Sequence, residues 1–172
     1  MSLYNEVTTL AKEIAKYGMK KDQLNNLKKT ALSCDDGEIV DKLRLLIERQ
    51  VSRSIIGLNV GNVLSSLIDK NKDNPKLLRE IFLYLPEKVL FEVIKPIMRY
   101  MSSVKDIKGA EFLVKGIRWD SKSRCWYIKL SVLTKLHLNN RKLRELEYKF
   151  KNILCQEKIQ AKVKVFRGDP GV

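Results

Sequence analysis

The sequence predicts an α+β protein: a helical N-terminal bundle followed by a small basic ββαβ module. Three observations carry that prediction. Apolar residues recur every three to four positions through about the first hundred residues, the period of helices with one buried face. Beyond about residue 110 the period falls to two on either side of a single helical stretch, the mark of strands. Positive charge is concentrated after that switch: residues 1–104 hold 17 Lys and Arg against 13 Asp and Glu, residues 105–172 hold 17 against 7. The expected domains are therefore 1–104, helical, and 105–172, the basic ββαβ module.

In chain order, Val7, Leu10, Ala11 and Ile14 make one helical face, and Gly18 closes that helix because glycine readily takes the left-handed backbone of a helix end. Leu24, Leu27 and Ala31 make a second helix ending near Cys34. Asp35 or Asp36 offers an N-cap for a long third helix with Ile39, Val40, Leu43, Leu46, Ile47 and Val51 on one side. Gly57 and Gly61 mark a break or a close helix contact before Val63, Leu64, Leu67 and Ile68. Asn74-Pro75 reads as an N-cap with proline at the first helical position. Leu77, Leu78, Ile81, Phe82 and Leu85 follow. Pro86 is expected to restart a helix through Met101, and Pro96 to kink it or cut it short. Texture changes at Ser102-Ser103. Gly109 opens a stretch leading into a strand from Glu111 to Trp119, Asp120–Arg124 is a polar turn, and Cys125–Leu133 is a second strand. Arg141–Cys155 is helical with Leu143, Leu146, Phe150, Ile153 and Leu154 on one side. Gln160–Phe166 alternates again, before a frayed Gly168-Asp169-Pro170-Gly171 tail.

Length and composition exclude several classes. A chain of 172 residues buries roughly two-thirds of its unfolded surface and needs neither disulfides nor metal to fold. No apolar run reaches the roughly 18 residues that span a bilayer, and the amphipathic, partly acidic start does not fit a signal peptide. The expectation is no membrane and a cytoplasmic or nucleoid-associated address. Cys34, Cys125 and Cys155 are scattered and His137 is the sole histidine, so reduced thiols without zinc are expected. The net charge of +14 favours a polyanionic partner.

Folding the hairpin on paper sharpens this. With Trp119 opposite Cys125, Ile117 faces Tyr127 and Lys115 faces Lys129. Phe112, Val114, Gly116 and Arg118 then share the other side with Trp126, Ile128, Leu130 and Val132, apolar apart from Arg118 and suited to receive the helix. In the last strand Ala161, Val163 and Val165 point inward. One face thus collects Lys115, Trp119, Tyr127, Lys129, Lys162, Lys164 and Phe166, with Lys122 and Arg124 on the adjoining turn. Lysines neutralise phosphates and exposed rings stack on unpaired bases, so these nine residues are the expected nucleic-acid contacts, with single strands or strand junctions favoured. Trp126 reads as core; Trp119 and Tyr127 either stack on bases or pack beneath the helical part. A second, weaker patch is Lys42, Arg44, Arg49 and Arg53, offset by Glu38, Asp41 and Glu48.

Two resemblances point the same way. Gly116-Ile117-Arg118-Trp119-Asp120, then five residues, then Trp126-Tyr127 resembles a G-x-R-W-D-x5-W-Y hairpin of small modules that accompany DNA-processing proteins, among them primase-like proteins and annealing helicases. It covers only Gly116–Tyr127, Ser121 stands where proline often follows the aspartate, and the closing proline is absent. It implies an auxiliary role with structural rather than catalytic tryptophans. Over roughly residues 10–70 the chain is similar to the small helical subunits of type III CRISPR–Cas effector complexes: Met19-Lys20-Lys21-Asp22-Gln23-Leu24-Asn25 resembles a T-x-S-Q-L-R helix start, with Asp22 and Asn25 in place of its serine and arginine. The usual small subunit has no counterpart to the C-terminal module.

Catalytic signatures are missing: no Walker-type loop, G-x-S-x-G elbow or H-E-x-x-H helix. His137 has no neighbouring nucleophile, and Asp35, Asp36, Glu38 and Asp41 sit where carboxylates cap and polarise a helix start. The expectation is a protein without catalytic residues, metal or cofactor: a nucleic-acid-binding accessory subunit that also contacts another protein subunit. The alternatives are an adaptor whose basic module grips an acidic protein and, further off, a metal-dependent nuclease that would draw on Glu111, Asp120 and Lys129.

Overall fold

A computed structural model describes residues 3–103, 110–134 and 137–168. Its elements are α1 (Leu3–Tyr17), α2 (Lys21–Ser33), α3 (Ile39–Ser52), α4 (Leu58–Lys70), α5 (Pro75–Ser103), β1 (Glu111–Asp120), β2 (Cys125–Leu133), α6 (Asn140–Gln156) and β3 (Ala161–Arg167). This is the α+β order read from the sequence. Gly109, the 104/105 boundary and the tail residues 169–171 lie outside the described residues. The chain forms two compact units, residues 1–92 and 93–172, and α5 contributes to both.

In the first unit α1 packs on α4, α2 on α3 and α3 on α4. The apolar stripes explain these contacts: Ile14, Leu24, Leu27, Ile39, Leu43, Ile47, Leu64 and Ile68 are all buried. Gly18 ends α1 with φ 86°, in the left-handed region the sequence suggested. Gly61 is the close contact: a β-carbon there would stand 2.5 Å from Val51 Cγ2, so α3 and α4 approach as they do only because the side chain is missing. Glu6, buried on α1, is paired to Lys70 Nζ on α4 at 3.1 Å, which removes the cost of an isolated buried charge.

Two details of this unit depart from expectation. Glu38, not Asp35 or Asp36, precedes α3, and its side chain makes no capping bond. Asp35 acts one turn earlier, its carboxylate accepting the Glu38 N–H at 3.1 Å, while Asp36 accepts from Arg79 at 2.7 Å. The same guanidinium donates to the carbonyls of Ala31 and Cys34, so Arg79 closes the end of α2. Nor does Pro86 restart a helix. α5 runs unbroken over 29 residues through both Pro86 and Pro96, and Pro96 does not cut it short. Each proline removes one hydrogen bond. Phe82, Leu85, Val89, Val93 and Ile97, all fully buried, surround the two sites with enough packing to hold the helix. Asn74 accepts the Leu77 N–H at 3.2 Å, the cap expected ahead of Pro75.

In the second unit the sheet order is β1-β2-β3, with β1–β2 antiparallel and β2–β3 parallel. The parallel pair requires a crossover, and α6 supplies it. Asn139 caps α6 by accepting the Lys142 N–H. Leu143, Leu146, Phe150 and Leu154 are buried, as are Trp126, Ile128, Leu130, Val132, Val163 and Val165 on one face of the sheet. Phe150 meets Phe112 and Tyr100 edge-on, each at 5.5 Å between ring centres, the geometry favoured by aromatic quadrupoles.

The hairpin register corrects the paper folding. From Glu111↔Leu133 to Val114↔Leu130 it is as expected. The turn-proximal half is displaced by one: Gly116↔Lys129, Ile117↔Ile128, Arg118↔Tyr127, Trp119↔Trp126 and Asp120↔Cys125. A bulge between Val114 and Gly116 leaves Lys115 without a partner. One extra residue reverses the alternation beyond it, so Trp119 and Ile117 move to the core face while Arg118 and Gly116 move to the open one. Trp119 is half-buried, edge-on to Trp126 at 5.4 Å.

Candidate functional site

The open face of the sheet is built in rows across three strands. Arg118, Tyr127 and Lys162 form one, Gly116, Lys129 and Lys164 the next, and Leu113, Ser131 and Phe166 the third. Neighbouring strands lie about 4.8 Å apart and successive same-face residues about 6.6 Å, so four cations fall within a short walk of one another. Arg118, Lys129, Lys162 and Lys164 are exposed. None has a carboxylate within ion-pairing distance among the described residues.

Tyr127 organises the positive end. The Arg118 guanidinium lies 5.0 Å from its ring centre and Lys129 Nζ 5.8 Å, both in the range of cation–π attraction. The ring is half-buried beneath these groups, and Phe166, 43% exposed, is the more accessible one. Gly116 leaves its row open above β1, since a β-carbon there would meet nothing within 4 Å. Lys129 and Lys164 stand directly opposite each other in the β2–β3 pair. Like charges so placed are unfavourable to a sheet.

The hairpin tip is held by Asp120. One carboxylate oxygen accepts the Lys122 N–H at 3.1 Å and the other the Ser123 hydroxyl at 2.8 Å. The Ser123 hydroxyl bond, then the Lys122 N–H, hold its pKa below the usual aspartate value, and the nearby Arg118 charge acts in the same direction. The carboxylate is thereby committed to the turn. Lys122 and Arg124 are exposed on this tip, Arg124 with φ 51°.

Of the nine residues expected from the sequence, Tyr127, Lys129, Lys162, Lys164 and Phe166 share the open face. Lys122 and Arg124 flank it on the tip, and Lys115 is the exposed, unpaired residue of the bulge. Trp119 is not on this face. Arg118, assigned to the core side on paper, is on it. Two signals could have found Arg118: a glycine inside a strand often marks a bulge, and Arg118 was the single charge on an otherwise apolar side.

The second patch does not form a free stripe. Arg44 is ion-paired to Asp69 on α4, and Lys42 lies 3.8 Å from Glu38. Arg49 and Arg53 are exposed. By unit, residues 1–92 hold 15 Lys and Arg against 13 Asp and Glu, and residues 93–172 hold 19 against 7. No helix among the described residues is long and apolar enough to cross a membrane. Comparison of the chain with known protein families, with curated proteins and with solved structures finds no match.

Proposed function

We propose that this protein is a non-catalytic nucleic-acid-binding subunit that holds a single strand, or the separated strands of a junction, against the open face of its three-stranded sheet. The observation that carries the reading is the cluster Arg118, Lys129, Lys162 and Lys164, none ion-paired among the described residues, with Arg118 and Lys129 over the Tyr127 ring and Phe166 one row on. A sheet gains nothing in stability from opposing Lys129 to Lys164. A polyanion laid across the face would turn that cost into attraction. Each neutralised phosphate releases counterions. Phe166 offers a ring to an unpaired base, and the open trough above Gly116 lets a backbone approach β1 closely. Trp119 contributes through the fold rather than by stacking, because it braces Trp126.

The test is a competition assay by fluorescence anisotropy with a labelled single-stranded oligonucleotide, unlabelled single-stranded, duplex and forked competitors, and poly-glutamate as a polyanion without bases. The reading expects single-stranded and forked competitors to displace the label better than duplex or poly-glutamate. Phe166→Ala should weaken binding by roughly tenfold, a stacked base being worth about 1–3 kcal/mol. Poly-glutamate competing as well as the single strand, with Phe166→Ala unaltered, would replace the reading with an adaptor for an acidic protein.

A further inference from the structure

On the outer side of β3 a cleft of about 380 Å³ opens between that strand and α6, lined by Asn140, Arg144, Glu147, Lys164, Phe166 and Arg167 among others. We propose that this cleft is a nucleotide subsite. On this proposal a strand lying across the open face turns over the edge of β3 and seats one further nucleotide there, its phosphate between Arg144 and Arg167 and its base against Phe166. The inference rests on the reading of the open face given above and extends its footprint to the other side of the edge strand.

Continuity is the first argument. Lys164 and Phe166 belong to the open-face rows and also line the cleft. No gap therefore separates the two surfaces, and Phe166, 43% exposed, belongs to both. Charge is the second. Three cations, Arg144, Lys164 and Arg167, surround the opening, all exposed. The one carboxylate, Glu147, is bound to the Val165 N–H at 3.0 Å.

That bond supplies the third argument, because it counts against the obvious competitor. An edge strand with free N–H groups invites a peptide to add as a fourth strand. Here Glu147 occupies the Val165 donor, so a peptide adding along β3 would have to displace it at the mouth of the cleft. What remains is a cationic opening with one exposed ring. Its volume lies in the low part of the range of small-molecule sites, about 300–1,000 Å³, and suits one nucleotide rather than a folded partner. Arginine forks bind phosphate oxygens in pairs, and Arg144 and Arg167 at one opening can hold a phosphodiester between them.

The experiment measures affinity and salt dependence for oligothymidylates of about 4 and about 12 nucleotides, near the limits of single-strand site sizes. It compares the full chain with two double variants, Arg144→Ala/Arg167→Ala in the cleft and Lys129→Ala/Lys162→Ala on the face. Arg144 is exposed on α6, where alanine is the best helix former, and Arg167 is exposed at the end of β3, so the cleft variant removes no buried side chain. The cleft variant should weaken the longer strand roughly tenfold and make its salt slope shallower by about 0.7, the contribution of the one phosphate held there. The short strand, which the face alone accommodates, should be unaffected, while the face variant weakens both. If the cleft variant leaves the longer strand unchanged, or weakens both lengths equally, the subsite is wrong and the face reading stands. If neither variant weakens either strand, the face reading has failed and the subsite falls with it.

Discussion

Lys129 and Lys164 face each other across β2 and β3, and the sign of their contribution separates function from folding. Were the pair there for stability, replacing one would cost stability. Lys129→Thr should instead leave the unfolding free energy unchanged within about 0.5 kcal/mol, or raise it. Relief of the repulsion opposes the loss of an exposed cation–π contact of about 0.5 kcal/mol. The same variant should weaken single-strand binding and make its salt slope shallower by about 0.7. Urea denaturation and anisotropy read the two effects separately; a clear loss of stability would mark Lys129 as structural. Asp120 has the opposite character. Its pKa is lowered in the folded state by the Ser123 hydroxyl and the Lys122 N–H. The stability it lends is therefore complete above its unfolded value of 3.8 and is lost as pH falls through the lower folded value. Asp120→Asn should accordingly be less stable than the native chain at neutral pH, with the difference shrinking as pH falls through the lowered folded value. A difference that persisted in acid would assign the effect to geometry rather than charge.

At the scale of elements, periodicity made most of the fold legible. The strands, α6 and the first four helices came from apolar residues at periods of two and about 3.6, which report directly on which side is buried. The hairpin register did not. A single inserted residue shifts the phase of the alternation without changing its period, so β1 read as one uninterrupted strand until it was laid on β2. That is why Arg118 and Trp119 were exchanged between faces. Pro86 misled for a different reason: its local cost is real, but Phe82, Leu85 and Val89 are buried around it and tertiary packing outweighs one lost hydrogen bond. The Gly61 contact allows a test of packing between helices. Alanine gains about 1 kcal/mol in helix propensity over glycine, yet its β-carbon would meet Val51 Cγ2 at 2.5 Å, and overpacking costs about 1–3 kcal/mol. Gly61→Ala should therefore destabilise the native chain. In a Val51→Ala background the same change should stabilise it. A stabilising effect in both would show that α3 and α4 yield without cost.

At the scale of the molecule, the charge is divided unequally: residues 93–172 carry most of the excess of Lys and Arg over Asp and Glu. That asymmetry was plain from composition, whereas the grouping of Arg118, Lys129, Lys162 and Lys164 on one face depended on a register and a strand order that composition does not encode. The cleft beside α6 was less legible still, because Arg144 and Lys164 are brought together by the parallel crossover and are distant in sequence. The central claim is that these four cations form one phosphate-binding surface. The most direct measurement is the dependence of single-strand affinity on salt for the native chain and for a variant with all four replaced by glutamine. Four phosphate contacts at about 0.7 each predict that log K falls with log salt at a slope of about −3 or steeper, and that the variant loses about 3 of that slope. A native slope near zero, or one that the quadruple variant leaves unaltered, would contradict the account.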